Sequence, residues 1–197
     1  LAVEIERIDS SKSAQKVLEL LAIGVPVILK QNDQAESWLG KKVMSLLNGI
    51  DAEELKDPTI REKVSVDLRR AALREHSIEN RLQQIRKQSG LSIFREPSVS
   101  VIVATNRPDM TERIFNTVKQ QDHKNLELVL ALHGEGFENS YPNFFESDIA
   151  VTVLRYPKET IFGSVLSEAS SVASGEWIAK MDDDDWYGEE HISDLLL

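Results

Sequence analysis

Apolar positions in the first stretch of the chain recur at helical spacing. Val17, Leu18, Leu20 and Leu21 form a stripe behind serines able to cap, which predicts a helix from about residue 11 that Gly24 stops. The branched run 25–29 reads as a short buried strand, and 35–47 as a second helix. Residues 51–90 are polar, with Val64, Leu68, Leu73, Ile78, Leu82 and Ile85 at roughly helical spacing. Pro58 suits a first turn and Gly90 a stop, so this segment predicts one long helix or a broken pair, followed by a linker at 92–97.

From Ser98 the pattern changes. Val99 to Ala104 is a β-branched run of the kind buried on both faces of a parallel sheet. A helix follows over 110–121, with Ile114, Phe115 and Val118 on one face. Strands are predicted at 126–132, 150–154 and 176–181, with a helix over 162–173 before the last of them. This order predicts an α/β fold with a mostly parallel, Rossmann-like sheet, preceded by a helical and small α/β segment. Ligands of such sheets bind at the carboxyl ends of the strands, where both Thr105-Asn106-Arg107 and Asp182 to Asp185 fall. The expected organisation is a helix-strand unit over 1–50, a helical connector over 51–97 and an α/β half-domain over 98–197.

Composition narrows the function. Of 197 residues 41% are hydrophobic and 28% charged, ordinary values for a globular chain. Lys+Arg 23 against Asp+Glu 33 leaves a net charge of -10, which disfavours coating nucleic acid but not binding a nucleotide through a metal ion. Without cysteine there is no disulfide scaffold, thiolate metal site or cysteine nucleophile. No apolar run reaches the ~20 residues that span a bilayer, and the start lacks a signal-peptide pattern, so a cytoplasmic location is expected.

The sharpest signal is Met181-Asp182-Asp183-Asp184-Asp185-Trp186-Tyr187. Four adjacent carboxylates at the end of a buried strand repel one another, and a hard divalent cation offsets that cost. The competing account is a solvated acidic turn that caps the helix after Gly188. The strand before the run and the aromatic pair after it favour a site for manganese or magnesium.

Residues 99–108, 126–132 and 174–185 together resemble the nucleotide-binding half of family 2 glycosyltransferases with the GT-A fold. The resemblance implies inverting transfer of a sugar from a nucleoside-diphosphate donor to a saccharide or other hydroxyl acceptor. It makes Asp182 and Asp184 the Asp-x-Asp metal pair, with Asp184 the direct ligand and Asp182 at the ribose or a metal-bound water. Asp185 would support the metal or replace a ligand. Thr105, Asn106, Arg107, Gly163, Asp182 and Asp183 become donor-binding candidates, Arg107 toward the diphosphate and Gly163 through close backbone approach. Asn106-Arg107-Pro108 also reads as a plain turn starting the next helix, and Gly163 as a plain helix start. Two departures stand out. No aromatic separates Thr105 from Asn106, and 130–136 carry no Asp to read a base, leaving His133 or Glu135 as substitutes or His133 as a loop residue. Trp186 and Tyr187 either floor the sugar pocket or pack beneath the loop, and His191 reads as a surface residue.

Residues 18–27 resemble the Glu-x-x-Ala-x-Gly-x-Pro-Val segment late in GT-B glycosyltransferases, which makes the first unit a remnant and Glu19 a relic. The chain opens on Leu1 and closes on Leu195-Leu196-Leu197, so a truncated piece of a longer protein is expected. The catalytic base is then expected beyond residue 197, with the piece inactive in transfer and self-associating through its apolar edge. A nucleotidyltransferase of related fold and a non-catalytic calcium-binding or interaction module are the alternative readings.

Overall fold

The hydroxyl of Ser10 accepts the N–H of Ser13, and that of Ser13 accepts the N–H of Ser10, a reciprocal cap that starts the first helix. The computed structural model describes residues 2–31, 35–92, 94–137 and 148–197. It divides into two compact units, Leu1–Phe94 and Arg95–Leu196, apart from the last residue.

In the first unit β1 (Val3–Arg7), α1 (Ser11–Ala22) and β2 (Val27–Gln31) form a β-α-β turn of chain. The strands pair in parallel, Val3 opposite Val27 and Arg7 opposite Gln31. The predicted helix over 35–47 is two helices, α2 (Ala35–Leu39) and α3 (Lys41–Asn48). Gly40 separates them at φ +80°, a conformation that L side chains rarely adopt, and a Cβ there would strike the Glu75 carboxylate. The polar segment is a broken pair, α4 (Pro58–His76) and α5 (Ile78–Gln88). Ser77 ends the first and caps the second, its hydroxyl accepting the Asn80 N–H. Leu68, Ala71 and Ala72 of α4 join Val17, Leu21, Val27, Leu39, Val43 and Leu47 in one core. Residues 58–76, expected as part of a connector, thus belong to the same unit as the first fifty.

In the second unit the strands are β3 (Val99–Thr105), β4 (Leu126–His133), β5 (Ala150–Tyr156) and β6 (Trp177–Met181). Helix α6 (Thr111–Lys119) follows β3, α7 (Phe162–Val172) precedes β6, and α8 (His191–Leu195) comes last. Among the described residues the pairings are all parallel, in the order β5-β4-β3-β6. This is the α/β class with a parallel sheet read from the sequence. Alternation splits the core by face. Val101, Val103, Leu128 and Leu130 pack with Ile114, Phe115 and Val118 of α6, while Ile102, Val129 and Ala131 pack with Val165 and Ala169 of α7. The chain therefore leaves β3 over one face and enters β6 from the other. The junction between these two neighbouring strands is the topological switch point, where doubly wound sheets open a crevice.

Two polar clamps fix this arrangement. At the amino end of the sheet Gly175 donates to Ser100 Oγ, and Ser174 donates through both its N–H and its hydroxyl to Glu127. Burial works to raise the Glu127 carboxyl, but hydrogen bonds from Ser100 and Ser174 outweigh it and hold the group below its ordinary range. In the second clamp the buried Gln121 side chain donates to the Gly188 carbonyl at 2.9 Å and accepts the Ile192 N–H at 3.1 Å, tying the chain after the acidic run to the end of α6. No described helix is long and apolar enough to cross a membrane.

Candidate functional site

β3 and β6 end side by side, Val103 paired with Met181, so the loops beginning at Asn106 and Asp182 leave the sheet together. The acidic run does not splay into solvent. Asp183 turns inward, 8% exposed, and its carboxylate meets a complete set of donors. Thr105 Oγ1 donates to Oδ2 at 2.6 Å, Arg107 Nε to Oδ2 at 3.1 Å and Arg107 Nη2 to Oδ1 at 2.7 Å. The fork is bidentate, the geometry in which a guanidinium pairs best with a carboxylate. A buried carboxylate without such partners would be strongly destabilising.

Arg107 Nη2 also reaches Asp184 Oδ2 at 2.8 Å. The Asp184 side chain is 55% exposed, so this pair is solvated and weak next to the buried one. The hydrogen bond from Arg107 holds the Asp184 carboxyl below the usual carboxylate range, and Asp184 and then Asp183 push the guanidinium further up. Asp182 pairs with Lys180, and its N–H donates to the Tyr187 hydroxyl at 2.7 Å. Arg113, on α6, donates to the carbonyls of Asp184 and Asp185.

The structure thus brings Thr105, Arg107, Asp182, Asp183 and Asp184 to one edge, but it divides them. Thr105 and Asp183 face each other and are buried, while Asn106, Asp182, Asp184 and Asp185 stand toward solvent. Gly163 opens α7, on the opposite face from α6, with open space where a Cβ would be. His133 ends β4 at the same carboxyl edge, and its Nε2 is buried without a hydrogen-bond partner among the described residues. Glu135 and Trp186 are exposed, and Tyr187 stacks obliquely on His191 at 4.8 Å. A cleft of about 440 Å3 adjoins the acidic loop, bordered by Glu112, Asn116, Gln120, Asp185 and Trp186.

Sequence reasoning missed Arg113, Lys180 and Gln121. Lys180 alternates onto the strand end beside Asp182, which spacing could have signalled. Arg113 and Gln121 lie on or just after α6, and only the folded sheet brings them to the 184–192 segment.

Among the described residues no three His, Cys, Asp or Glu side chains are arranged to hold a metal. The side chains there carry the right chemistry for a hard cation: Asp182 and Asp184 present exposed carboxylate oxygens, held at present by ion pairs with Lys180 and Arg107. Magnesium-type sites commonly take one or two carboxylates and complete their shell with substrate phosphates and water.

The family model described as "Glycosyl transferase family 2" matches residues 100–197. A solved mannosyltransferase from Pyrobaculum calidifontis, in complex with GDP-Man and Mn2+, aligns over 59% of this chain at 20% identity and a TM-score of 0.43. The alignment spans 38% of that protein. No curated protein sequence matches significantly.

Proposed function

Residues 100–197 belong to glycosyl transferase family 2, and from that membership we propose that this unit binds a nucleoside-diphosphate sugar through a divalent metal for inverting transfer to an acceptor hydroxyl. The observation that carries the proposal is the placement of Arg107 and the acidic run together at the switch point between β3 and β6. A crevice there admits a nucleotide between the two loops. Asp184 is the carboxylate proposed to hold manganese or magnesium, with Asp182 beside it. The bound ion supplies Lewis-acid stabilisation of the departing diphosphate.

The chain's own residues set the rest. Arg107 lies within reach of Asp184, so its guanidinium is suited to share the diphosphate charge. Asn106, exposed on the same loop, is proposed at the nucleoside, and Gly163 at the start of α7 leaves the opposite wall of the crevice unobstructed. His133 stands at the end of β4 on that same edge, and we assign it to the side of the base. The cleft beside Asp185, with Trp186 exposed and amides and carboxylates around it, has the chemistry of a saccharide surface and is assigned to the sugar side.

A thermal-shift series with UDP-, GDP-, CDP- and dTDP-sugars, each with and without manganese, tests this reading. One donor should stabilise the chain only when manganese is present, by about 2.7 kcal/mol at a hundredfold excess over Kd. Stabilisation by calcium alone, with no nucleotide dependence, would favour a non-catalytic cation-binding module instead.

A further inference from the structure

Asp183 occupies the middle position of the Asp-x-Asp segment, for which the metal pair specifies no residue type. Its carboxylate is buried, and Thr105 and Arg107 fill it from the neighbouring strand end. The ring closes on itself, because Thr105 Oγ1 also accepts the Arg107 backbone N–H at 3.0 Å. Arg107 is therefore anchored at its backbone and through Nε and Nη2. Its side chain remains 42% exposed, and Nη1 has no partner among the described residues.

We propose that Asp183 is a positioning residue, whose fork with Arg107 aims the guanidinium at the crevice so that Arg107 neutralises Asp184 until a metal takes that carboxylate and the diphosphate takes the arginine. The inference rests on the donor-binding reading above. The two contacts of Arg107 differ in kind. The one to Asp183 is bidentate and ends on a buried carboxylate, hence the more persistent. The one to Asp184 is single and solvent-facing, hence exchangeable. Transfer of Asp184 to a divalent ion leaves the guanidinium held by its Asp183 edge, with Nη1 and one Nη2 hydrogen available to phosphate oxygens. A long arginine that is already immobilised loses little conformational freedom on binding. Asp183 touches neither donor nor metal in this scheme; it acts through Arg107 alone.

A double-mutant cycle on the whole chain tests it. Calorimetry with manganese would compare UDP, GDP, CDP and dTDP with their nucleosides for wild type, Asp183→Asn, Arg107→Ala and the double variant. Asp183→Asn should weaken the diphosphate that binds by roughly tenfold and leave the matching nucleoside unchanged. The double variant should bind no more weakly than Arg107→Ala. Additive losses, or equal loss for nucleoside and diphosphate, would overturn the role. A second readout needs no variant to fold. In the wild type the Arg107 Nε–H should give a resolved, slowly exchanging NMR signal, and an averaged signal would overturn the fork. If the wild type binds none of the four diphosphates, the donor reading fails, while the Nε–H signal still decides for or against the fork.

Discussion

The Gly175 amide donates to the Ser100 hydroxyl at 2.8 Å, and a Cβ on Gly175 would lie 2.6 Å from the Ser100 nitrogen. The approach of two backbones, not a special dihedral, demands glycine here. Gly175→Ala must displace the start of β6 from β3, and it should cost about 1–3 kcal/mol of stability, as overpacking does. Urea denaturation reads this directly; a midpoint equal to wild type would show that the strand ends move apart at no cost.

Glu127 makes the same region acid-sensitive. Its folded carboxyl titrates below the unfolded one, so the folded state is favoured by the ionised form. That contribution is complete above the unfolded value near ~4.3 and disappears as pH falls through the lower, folded value. Glu127→Gln should therefore flatten the loss of stability on acidification relative to wild type. Parallel stability-pH curves for the two proteins would argue against the clamp.

Gln121 links α6 to the exit of the acidic loop. Gln121→Ala strips the Ile192 N–H and the Gly188 carbonyl of their partners inside the fold. The expected cost is about 1–3 kcal/mol. Hydrogen exchange at the Ile192 amide should accelerate selectively, and unchanged protection there would mean that the clamp is dispensable.

Asp184→Asn separates binding from folding. The variant loses one carboxylate ligand and its exposed ion pair with Arg107, while the buried Asp183 fork remains. Melting temperature without ligand should hold, and the manganese-dependent part of nucleotide affinity should vanish. Retention of that metal dependence would remove Asp184 from the ligand set.

β3 and β4 are legible because they are continuous apolar runs buried on both faces, whereas β5 and β6, half-buried or exposed along most of their length, stand out only as short apolar runs; the acidic run is legible because its charges are contiguous. The first strand is harder. Val3 and Ile5 alternate with Glu4 and Glu6 for only two periods, too few to separate from noise. The division of 35–47 falls at Gly40, which takes a positive φ and whose missing Cβ leaves room for the Glu75 carboxylate, a neighbour far away in sequence. In the site, residue types indicated which groups gather at the strand ends, but not which of four identical side chains turns inward. Asp183 does so because Thr105 and Arg107 offer it donors from β3, and that pairing exists only once the parallel register is set.

The strand order also sets the sequence in which the molecule assembles. Val99 finds Leu126 across one short helical crossover, but its partner on the other side, Trp177, arrives only after β4, β5 and α7 have been traversed. Closing the longer loop costs more chain entropy, so β3 and β4 are expected in the transition state and β6 docks afterwards. Stopped-flow measurements would then find substitutions at Val101 or Leu128 slowing folding, and those at Ala179 mainly hastening unfolding. The four aspartates follow β6. Their mutual repulsion is gathered only when Thr105 and Arg107 already stand in place to receive it, so it does not burden the folding nucleus.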